Sequence, residues 1–165
     1  MEIDFKDRLT KNDTKDKYIF WDIDGTLAPY RFNGHVGVPG NMTHGISMDE
    51  INNNIFLKRL PSKFMQHVVK TSKAKSHIVM GHVLCEKEIE DKNTWLDKHF
   101  PIIKDRILTY EDIPKHQSIL NYCAQNNINI KDVIFVDDVL MLIREAEAHG
   151  IKSYHISSLL DWDFN

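Results

Sequence analysis

Short apolar segments alternate along this chain with longer stretches whose apolar residues recur at helical spacing, and this alternation limits the fold to the α/β class. The segments predict strands at residues 18–21, 77–80, 106–109, 133–136 and 152–156. The intervening stretches predict one helix that begins after Ser62 and three more at residues 86–99, 115–125 and 140–149. Strands and helices in this order form right-handed parallel crossovers. We therefore expect a Rossmann-like, doubly wound parallel sheet of about five strands.

The connection between the first strand and the first helix is long for a compact α/β domain. The chain has 165 residues, which suits a single core domain over residues 1–165. Residues 28–60 are predicted to form a small lid inserted in that domain. They hold four of the seven glycines, Gly34, Gly37, Gly40 and Gly45, and continue into a more helical part. The alternative is a surface insertion without a function, because lengthening a loop costs little stability.

Charge and hydropathy exclude several classes of partner. Twenty-four acidic residues against 21 basic ones give a net charge of −3, which is unfavourable for binding extended nucleic acid. No stretch approaches the roughly 18 consecutive apolar residues that a membrane-spanning helix needs, and the charged N-terminal segment does not resemble a secretory signal. Cys85 and Cys123 are too few for a disulfide framework. We expect a cytoplasmic protein without a membrane partner.

Carboxylates follow two of the predicted strands. Asp22 and Asp24 come after the first strand, and Asp137 and Asp138 come after the fourth. The carboxyl ends of parallel strands meet at one edge of a sheet, so these four side chains are predicted to converge. Carboxylates brought together in a partly buried site need protonation or a cation, and Mg²⁺ is the natural cation because it prefers oxygen ligands and also binds phosphate oxygens. The sequence therefore predicts a Mg²⁺ site made by all four acids and a small phosphorylated substrate.

The spacing of the acids in the DIDGT sequence indicates two chemical roles. Asp22 and Asp24 are two residues apart in an extended segment, so both can face one bound group. An ionised Asp22 beside a metal ion can attack phosphorus, while Asp24 can protonate the leaving oxygen and later take a proton from water. Gly25 permits the sharp turn, and Gly25 and Thr26 are predicted to contact the phosphate. Lys115, which follows the third strand, is predicted to neutralise the phosphoryl oxygens.

These residues resemble the motifs of the haloacid dehalogenase-like superfamily of hydrolases, in order along nearly the whole chain. YIFWDIDGTL is similar to the first motif, which implies that Asp22 is the nucleophile and Asp24 the acid/base. Lys115 fits the third motif, and IFVDDVLMLIREAEAHGI resembles the fourth, which implies that Asp137 and Asp138 bind the metal. The resemblance implies a small Mg²⁺-dependent phosphatase or nucleotidase-like member of the superfamily.

The second motif departs from the family pattern. The family ends its second strand with a Ser or Thr whose hydroxyl holds a phosphoryl oxygen, whereas HIVMGHV places Met80 there. A thioether cannot donate a hydrogen bond, and losing one such donor costs on the order of a hundredfold to a thousandfold in rate. The backbone amide of Gly81 or the ring of His82 is therefore predicted to bind the phosphate instead. Without such a substitute, the activity is expected to be weak.

The combined expectation is a Mg²⁺-dependent phosphomonoester hydrolase that acts through an aspartyl-phosphate on a small organic phosphate or a nucleotide. Tyr30 and Phe32 in the predicted lid are candidates for stacking on a nucleobase, or for packing the lid onto the body. Two alternatives use the same scaffold. One is a binding or regulatory module with weak catalysis because of Met80, and the other is a phosphotransferase that excludes water in favour of another acceptor. The sequence does not predict the oligomeric state.

Overall fold

Five strands form one parallel sheet in the computed structural model, which describes residues 8–29 and 48–163. They are β1 (Tyr18–Trp21), β2 (Ser76–Val83), β3 (Asp105–Tyr110), β4 (Val133–Asp137) and β5 (Lys152–His155). The strand order is β3-β2-β1-β4-β5, and all four pairings are parallel. The strands are added outward from β1 in two directions, with β2 and β3 on one side and β4 and β5 on the other. A doubly wound sheet has its ligand-binding crevice at such a point.

Helices cover both faces of this sheet. The described residues form α1 (Met48–Asn52), α2 (Ile55–Lys58), α3 (Lys63–Thr71), α4 (Glu86–His99), α5 (Lys115–Gln125) and α6 (Leu140–Ala148), with short 3₁₀ turns at Ile130–Asp132 and Ile156–Leu159. No helix among the described residues is both long enough and apolar enough to cross a membrane.

Alternate residues of the strands supply two core layers, as expected for a sheet that is buried on both sides. Trp21 of β1 packs in the layer that contains Val68 of α3 and Leu96 of α4. Phe20, which points the other way, packs in the layer that contains Ile119 of α5 and Ala146 of α6. This arrangement confirms the predicted doubly wound α/β fold.

The predicted insertion is only partly described. Residues 30–47, which include Tyr30, Phe32 and all four glycines of the insertion, lie outside the described residues. Residues 48–60 include α1 and α2, which bury Ile51 and Phe56, and α2 packs against α4. The prediction that residues 28–60 act as a lid therefore falls largely on residues about which the structure says nothing.

Candidate active site

A tight turn holds the DIDGT residues where the chain leaves β1. The amide of Gly25 donates to the carbonyl of Ala28, and the amide of Ala28 donates to the carbonyl of Ile23, both at 2.8 Å. Gly25 has a φ of 88°, in the left-handed region that residues with a Cβ avoid. The turn therefore fixes Asp22 and Asp24 at the carboxyl edge of the sheet, as the sequence predicts.

Lys115 lies between carboxylates from the two central strands. Its Nζ is 2.5 Å from Oδ1 of Asp22 and 2.7 Å from Oδ2 of Asp137. All three side chains are buried. Lys115 begins α5, and the positive end of a helix dipole disfavours a cation there, so the two carboxylates account for its position. Burial alone would lower the pKa of Lys115, but the negative charges of Asp22 and Asp137 raise it.

Three carboxylates form a cluster that could hold a metal ion. Among the described residues, Asp22, Asp137 and Asp138 each offer one oxygen, and these oxygens lie within 4.8 Å of one another. Oδ1 of Asp138 is buried without a hydrogen-bond partner, so it is available to a cation. Burial raises the pKa of Asp22 to about 8 and that of Asp138 to about 6. The three carboxylates offer only oxygen ligands, and the raised pKa values show that their negative charges are unfavourable without a cation. Such a cluster fits a hard divalent cation such as Mg²⁺.

The structure separates Asp24 from this cluster, although the sequence predicts it as a fourth metal ligand. Oδ2 of Asp24 accepts a hydrogen bond from Nζ of Lys92 at 2.7 Å, and Oδ1 pairs with Nη1 of Arg59. Burial would raise the pKa of Asp24, but Lys92 and Arg59 lower it to about 2. Because both oxygens are occupied by cations, the geometry does not support a carboxylate–metal bond from Asp24. Its role as the acid/base remains a prediction.

Neither cation that contacts Asp24 was predicted from the sequence. Lys92 lies on α4 and is fully buried, and its Nζ is also 2.7 Å from Oε1 of Glu88 and 2.8 Å from the carbonyl of His82. Arg59 follows α2 and donates to the carbonyl of Pro29 at 3.1 Å. The only sequence signal was that Glu88 and Lys92 are four residues apart on a predicted helix, which usually indicates a surface ion pair. Nothing in the sequence singled out Arg59.

Thr26, which the sequence predicts to contact the phosphate, lies in the turn after β1. Its hydroxyl is buried and has no hydrogen-bond partner among the described residues. A buried hydroxyl without a partner is costly unless a ligand or water satisfies it, so Thr26 can donate to a bound anion. The assignment of Gly25 and Thr26 to phosphate binding remains a prediction.

Met80 does not lie at the end of its strand, which corrects the boundary that the sequence suggested. β2 continues to Val83, three residues further than predicted. The side chain of Met80 is fully buried and packs in the core layer that contains Phe20 and Phe135. The strand predicted from the sequence ended at Met80 because the next two residues, Gly81 and His82, are not apolar. Met80 is therefore a core residue, and its thioether does not stand at the strand end.

Gly81 and His82 have structural contacts of their own. A Cβ on Gly81 would lie 3.2 Å from Cδ1 of Ile23 and 3.3 Å from Cδ2 of Leu108, so the glycine lets β2 pack closely against its neighbours. Nε2 of His82 lies 2.9 Å from the carbonyl of Ile113, in the loop before α5. Their assignment as phosphate donors also remains a prediction.

Comparison with solved structures finds proteins of the haloacid dehalogenase-like family at low sequence identity. One is a hydrolase of that family from Streptococcus pneumoniae, with a TM-score of 0.53 and 12% identity over 90% of this chain and 91% of the other. Another is a family enzyme from Bacteroides thetaiotaomicron, an aspartate-to-alanine mutant in complex with magnesium and inorganic phosphate, with a TM-score of 0.52 and 11% identity over 85% of this chain and 93% of the other.

A third similar structure is the N-terminal part of a Bacteroides fragilis protein that contains a phosphatase domain complexed with Mg. It has a TM-score of 0.49 and 16% identity over 87% of this chain, which spans only 36% of that longer chain. No protein-family model matches the sequence, and no curated protein matches it. The first two of these structures, with TM-scores of 0.53 and 0.52, show that the chain shares their fold, as the motifs predict.

Proposed function

We propose that this protein is a Mg²⁺-dependent phosphomonoester hydrolase of the haloacid dehalogenase-like superfamily, acting on a small phosphorylated substrate through an aspartyl-phosphate on Asp22. The observation that carries the proposal is the convergence of Asp22 at the end of β1 with Asp137 and Asp138 at the end of β4, with Lys115 beside them. The Bacteroides thetaiotaomicron enzyme of the same fold, complexed with magnesium and inorganic phosphate, supports it.

The proposed site divides substrate binding among residues from three strand ends. Asp22, Asp137 and Asp138 would hold the Mg²⁺, whose positive charge neutralises phosphate oxygens. The ammonium of Lys115 adds a second positive charge at the same edge of the sheet. The unpartnered hydroxyl of Thr26 is available to donate to a phosphoryl oxygen.

The proposed reaction has two proton-coupled steps. First, a carboxylate oxygen of Asp22 bonds to phosphorus, the bond from phosphorus to the leaving oxygen breaks, and Asp24 gives that oxygen a proton. Second, Asp24 takes a proton from a water whose oxygen attacks phosphorus, and the bond to Asp22 breaks as inorganic phosphate forms. Lys92 and Arg59 lower the pKa of Asp24 and so oppose the protonation that the first step uses, and weakening either ion pair on substrate binding would favour it.

Hydrolysis of a panel of phosphate esters, measured with Mg²⁺ and with EDTA, tests the proposal. We expect phosphate release that needs the metal and that Asp22→Asn reduces to background, because the amide is not a nucleophile. The matched control is Asp132→Asn, which changes an acid at the opposite end of β4 that pairs with Lys17. If the wild-type protein released no phosphate, or if Asp22→Asn kept the wild-type rate, the proposal would be wrong.

The alternative of a weakly catalytic binding module depended on Met80. Met80 packs in the core and β2 continues past it, but residues 81–85 (GHVLC) contain no Ser or Thr either. The hydroxyl donor of the family's second motif is therefore still missing, and the ester panel decides between this alternative and hydrolysis. No contact among the described residues favours transfer to another acceptor over hydrolysis. Hydrolysis is therefore the function that the geometry supports best.

A further inference from the structure

We propose that Lys92, held in place by Glu88, positions Asp24 for proton transfer to and from the substrate, an inference that rests on the hydrolase function proposed above. Lys92 contacts Asp24 and not the reacting atoms, so it is a positioning residue. It lies on α4, far in sequence from the DIDGT motif that it serves.

The ammonium of Lys92 is held by two hydrogen bonds, to Asp24 and to the backbone, and by an ion pair with Glu88. Nζ lies 2.7 Å from Oδ2 of Asp24, 2.7 Å from Oε1 of Glu88 and 2.8 Å from the carbonyl of His82. The side chain is 0% exposed, and its Nζ lies 4.7 Å from the centroid of the Phe56 ring. The ammonium is therefore shielded from water, and its hydrogen bond holds the carboxylate of Asp24 in one position.

Glu88 extends this support to the backbone that leaves β2. Its Oε2 accepts a hydrogen bond from the amide of Leu84 at 2.7 Å, and the side chain is 1% exposed. Oε2 of Glu88 is thus hydrogen-bonded to the backbone, and Oε1 forms the ion pair with Lys92. A continuous set of contacts runs from the end of β2 through Glu88 and Lys92 to Asp24.

The contact with Glu88 gives Lys92 a second carboxylate besides Asp24. Lys92 has a carboxylate of its own in Glu88, so it keeps a counter-ion when Asp24 becomes neutral during the reaction. A buried cation without a counter-ion is strongly unfavourable, and Glu88 removes that cost. Lys92 can therefore stay in place through both proton transfers.

Comparing two leaving groups shows whether Lys92 positions Asp24 for proton transfer or only supports the structure of the site. A primary alkyl phosphate needs a proton on its leaving oxygen, whereas p-nitrophenyl phosphate leaves without one. We expect Lys92→Met to lower kcat/KM for the alkyl phosphate on the order of a hundredfold, which is the contribution of a well-placed general acid. For the nitrophenyl ester, we expect kcat/KM to fall less than about tenfold.

Two further variants complete the experiment. Lys87→Met is the matched control, since Lys87 lies on the same helix and pairs with Asp91 at the same four-residue spacing, and we expect both rates to stay at the wild-type level. The Lys92→Met/Glu88→Gln double variant removes the buried pair together, so it leaves no unpaired Glu88 charge if the single variant folds poorly. We expect it to show the same selective loss.

Equal losses for both esters in the folded variants would overturn the inference and assign Lys92 a purely structural role. Unchanged rates in the double variant would overturn it as well. Failure of the proposed function has a different signature, because the wild-type protein would then hydrolyse neither ester in a metal-dependent way.

Discussion

Asp22 and Asp24 are two residues apart, yet the folded chain gives them opposite electrostatic environments. Burial raises the pKa of Asp22 to about 8, with Asp137 adding to the shift and Lys115 opposing it. Burial acts on Asp24 too, but Lys92 and Arg59 outweigh it and lower the pKa of Asp24 to about 2. Neighbouring acids whose pKa values are pushed apart are suited to different chemical roles. The proposed assignment of one as nucleophile and the other to proton transfer follows this division.

His77 gives the protein a pH-dependent stability outside the candidate site. Its Nδ1 lies 3.0 Å from Nε1 of Trp21, which donates to it, and its Nε2 lies 3.1 Å from Oγ of Ser72. Burial lowers the pKa of His77 from 6.5 to about 4, so the folded protein keeps a neutral ring where the unfolded chain binds a proton. Above about pH 6.5 the ring is neutral in both the folded and the unfolded chain, so His77 does not lower the free energy of unfolding. As the pH falls to about 4, His77 lowers it by on the order of 3 kcal/mol, because only the unfolded chain binds the proton.

Replacing the imidazole removes this dependence. We expect His77→Gln to be less stable than the wild type at neutral pH, because the bond from Trp21 is disturbed, but to lose less stability on acidification. Urea unfolding at about pH 7.5 and about pH 5 measures both free energies. A variant whose free energy of unfolding falls as much as that of the wild type between these conditions would show that His77 is not the source.

Single residues also mark the limit of what the sequence predicts about the site. Asp22, Asp137 and Lys115 could be placed because each directly follows a strand or begins a helix at one edge of the sheet. Lys92 and Arg59 could not, because their contact with Asp24 depends on how α4 and the segment after α2 pack in three dimensions. A charged residue on a helix is by default a surface residue, and only the packing makes Lys92 a buried one.

At the scale of elements, the sequence pattern predicted the bounds of several strands and helices. The predicted first strand and the helices at 86–99 and 115–125 have the observed bounds. β2 was predicted too short because Gly81 and His82 continue the pairing with β3 although neither is an apolar side chain. Backbone hydrogen bonds extend a strand past its apolar run, and hydropathy does not report them.

The start of α3 provides a test at this scale. Ser62 is the N-cap, and its Oγ accepts a hydrogen bond from the amide of Met65 at 3.1 Å. Its own amide donates to the carbonyl of Leu27 at 3.0 Å, which ties the chain to the turn that holds Asp24. We expect Ser62→Ala to lower the free energy of unfolding by about 1 kcal/mol, because one helix donor loses its partner.

Urea unfolding of Ser62→Ala and Ser62→Asn measures this effect. Asn is also a good N-cap, so the second variant should stay within a few tenths of a kcal/mol of the wild type, roughly. Equal losses in the two variants would mean that the serine acts through packing and not as a cap.

For the whole molecule, the candidate metal site links distant parts of the chain. Asp22 and Asp137 are brought together only by folding, so a divalent cation that binds them favours the folded state over the unfolded chain. Such a ligand stabilises the whole molecule by about 2.7 kcal/mol at a concentration a hundredfold above its Kd. Because the five-stranded sheet joins these acids through its central pair β1 and β4, the stabilisation should appear in global unfolding.

Asp138→Asn should therefore have opposite effects on stability with and without Mg²⁺. In the metal-free wild type, burial and the charge of Asp137 raise the pKa of Asp138 to about 6, so its ionised form destabilises the fold as the pH rises through that value. The amide removes this cost, and we expect the metal-free variant to be more stable near neutral pH by about 1 kcal/mol once solvent screening is allowed for. With Mg²⁺, the variant should gain much less than the wild type, because one ligand oxygen of the cluster is lost.

Thermal unfolding in EDTA and in excess Mg²⁺ measures both effects for the wild type, Asp138→Asn and the control Asp132→Asn. Asp132 lies before β4, at the end opposite Asp137, so its variant should keep the wild-type response to Mg²⁺. If Mg²⁺ raised the Tm of Asp138→Asn as much as that of the wild type, Asp138 would not be a metal ligand. If it raised none of them, the carboxylates would have to be balanced by Lys115 alone, and the cation requirement of the proposed reaction would be wrong.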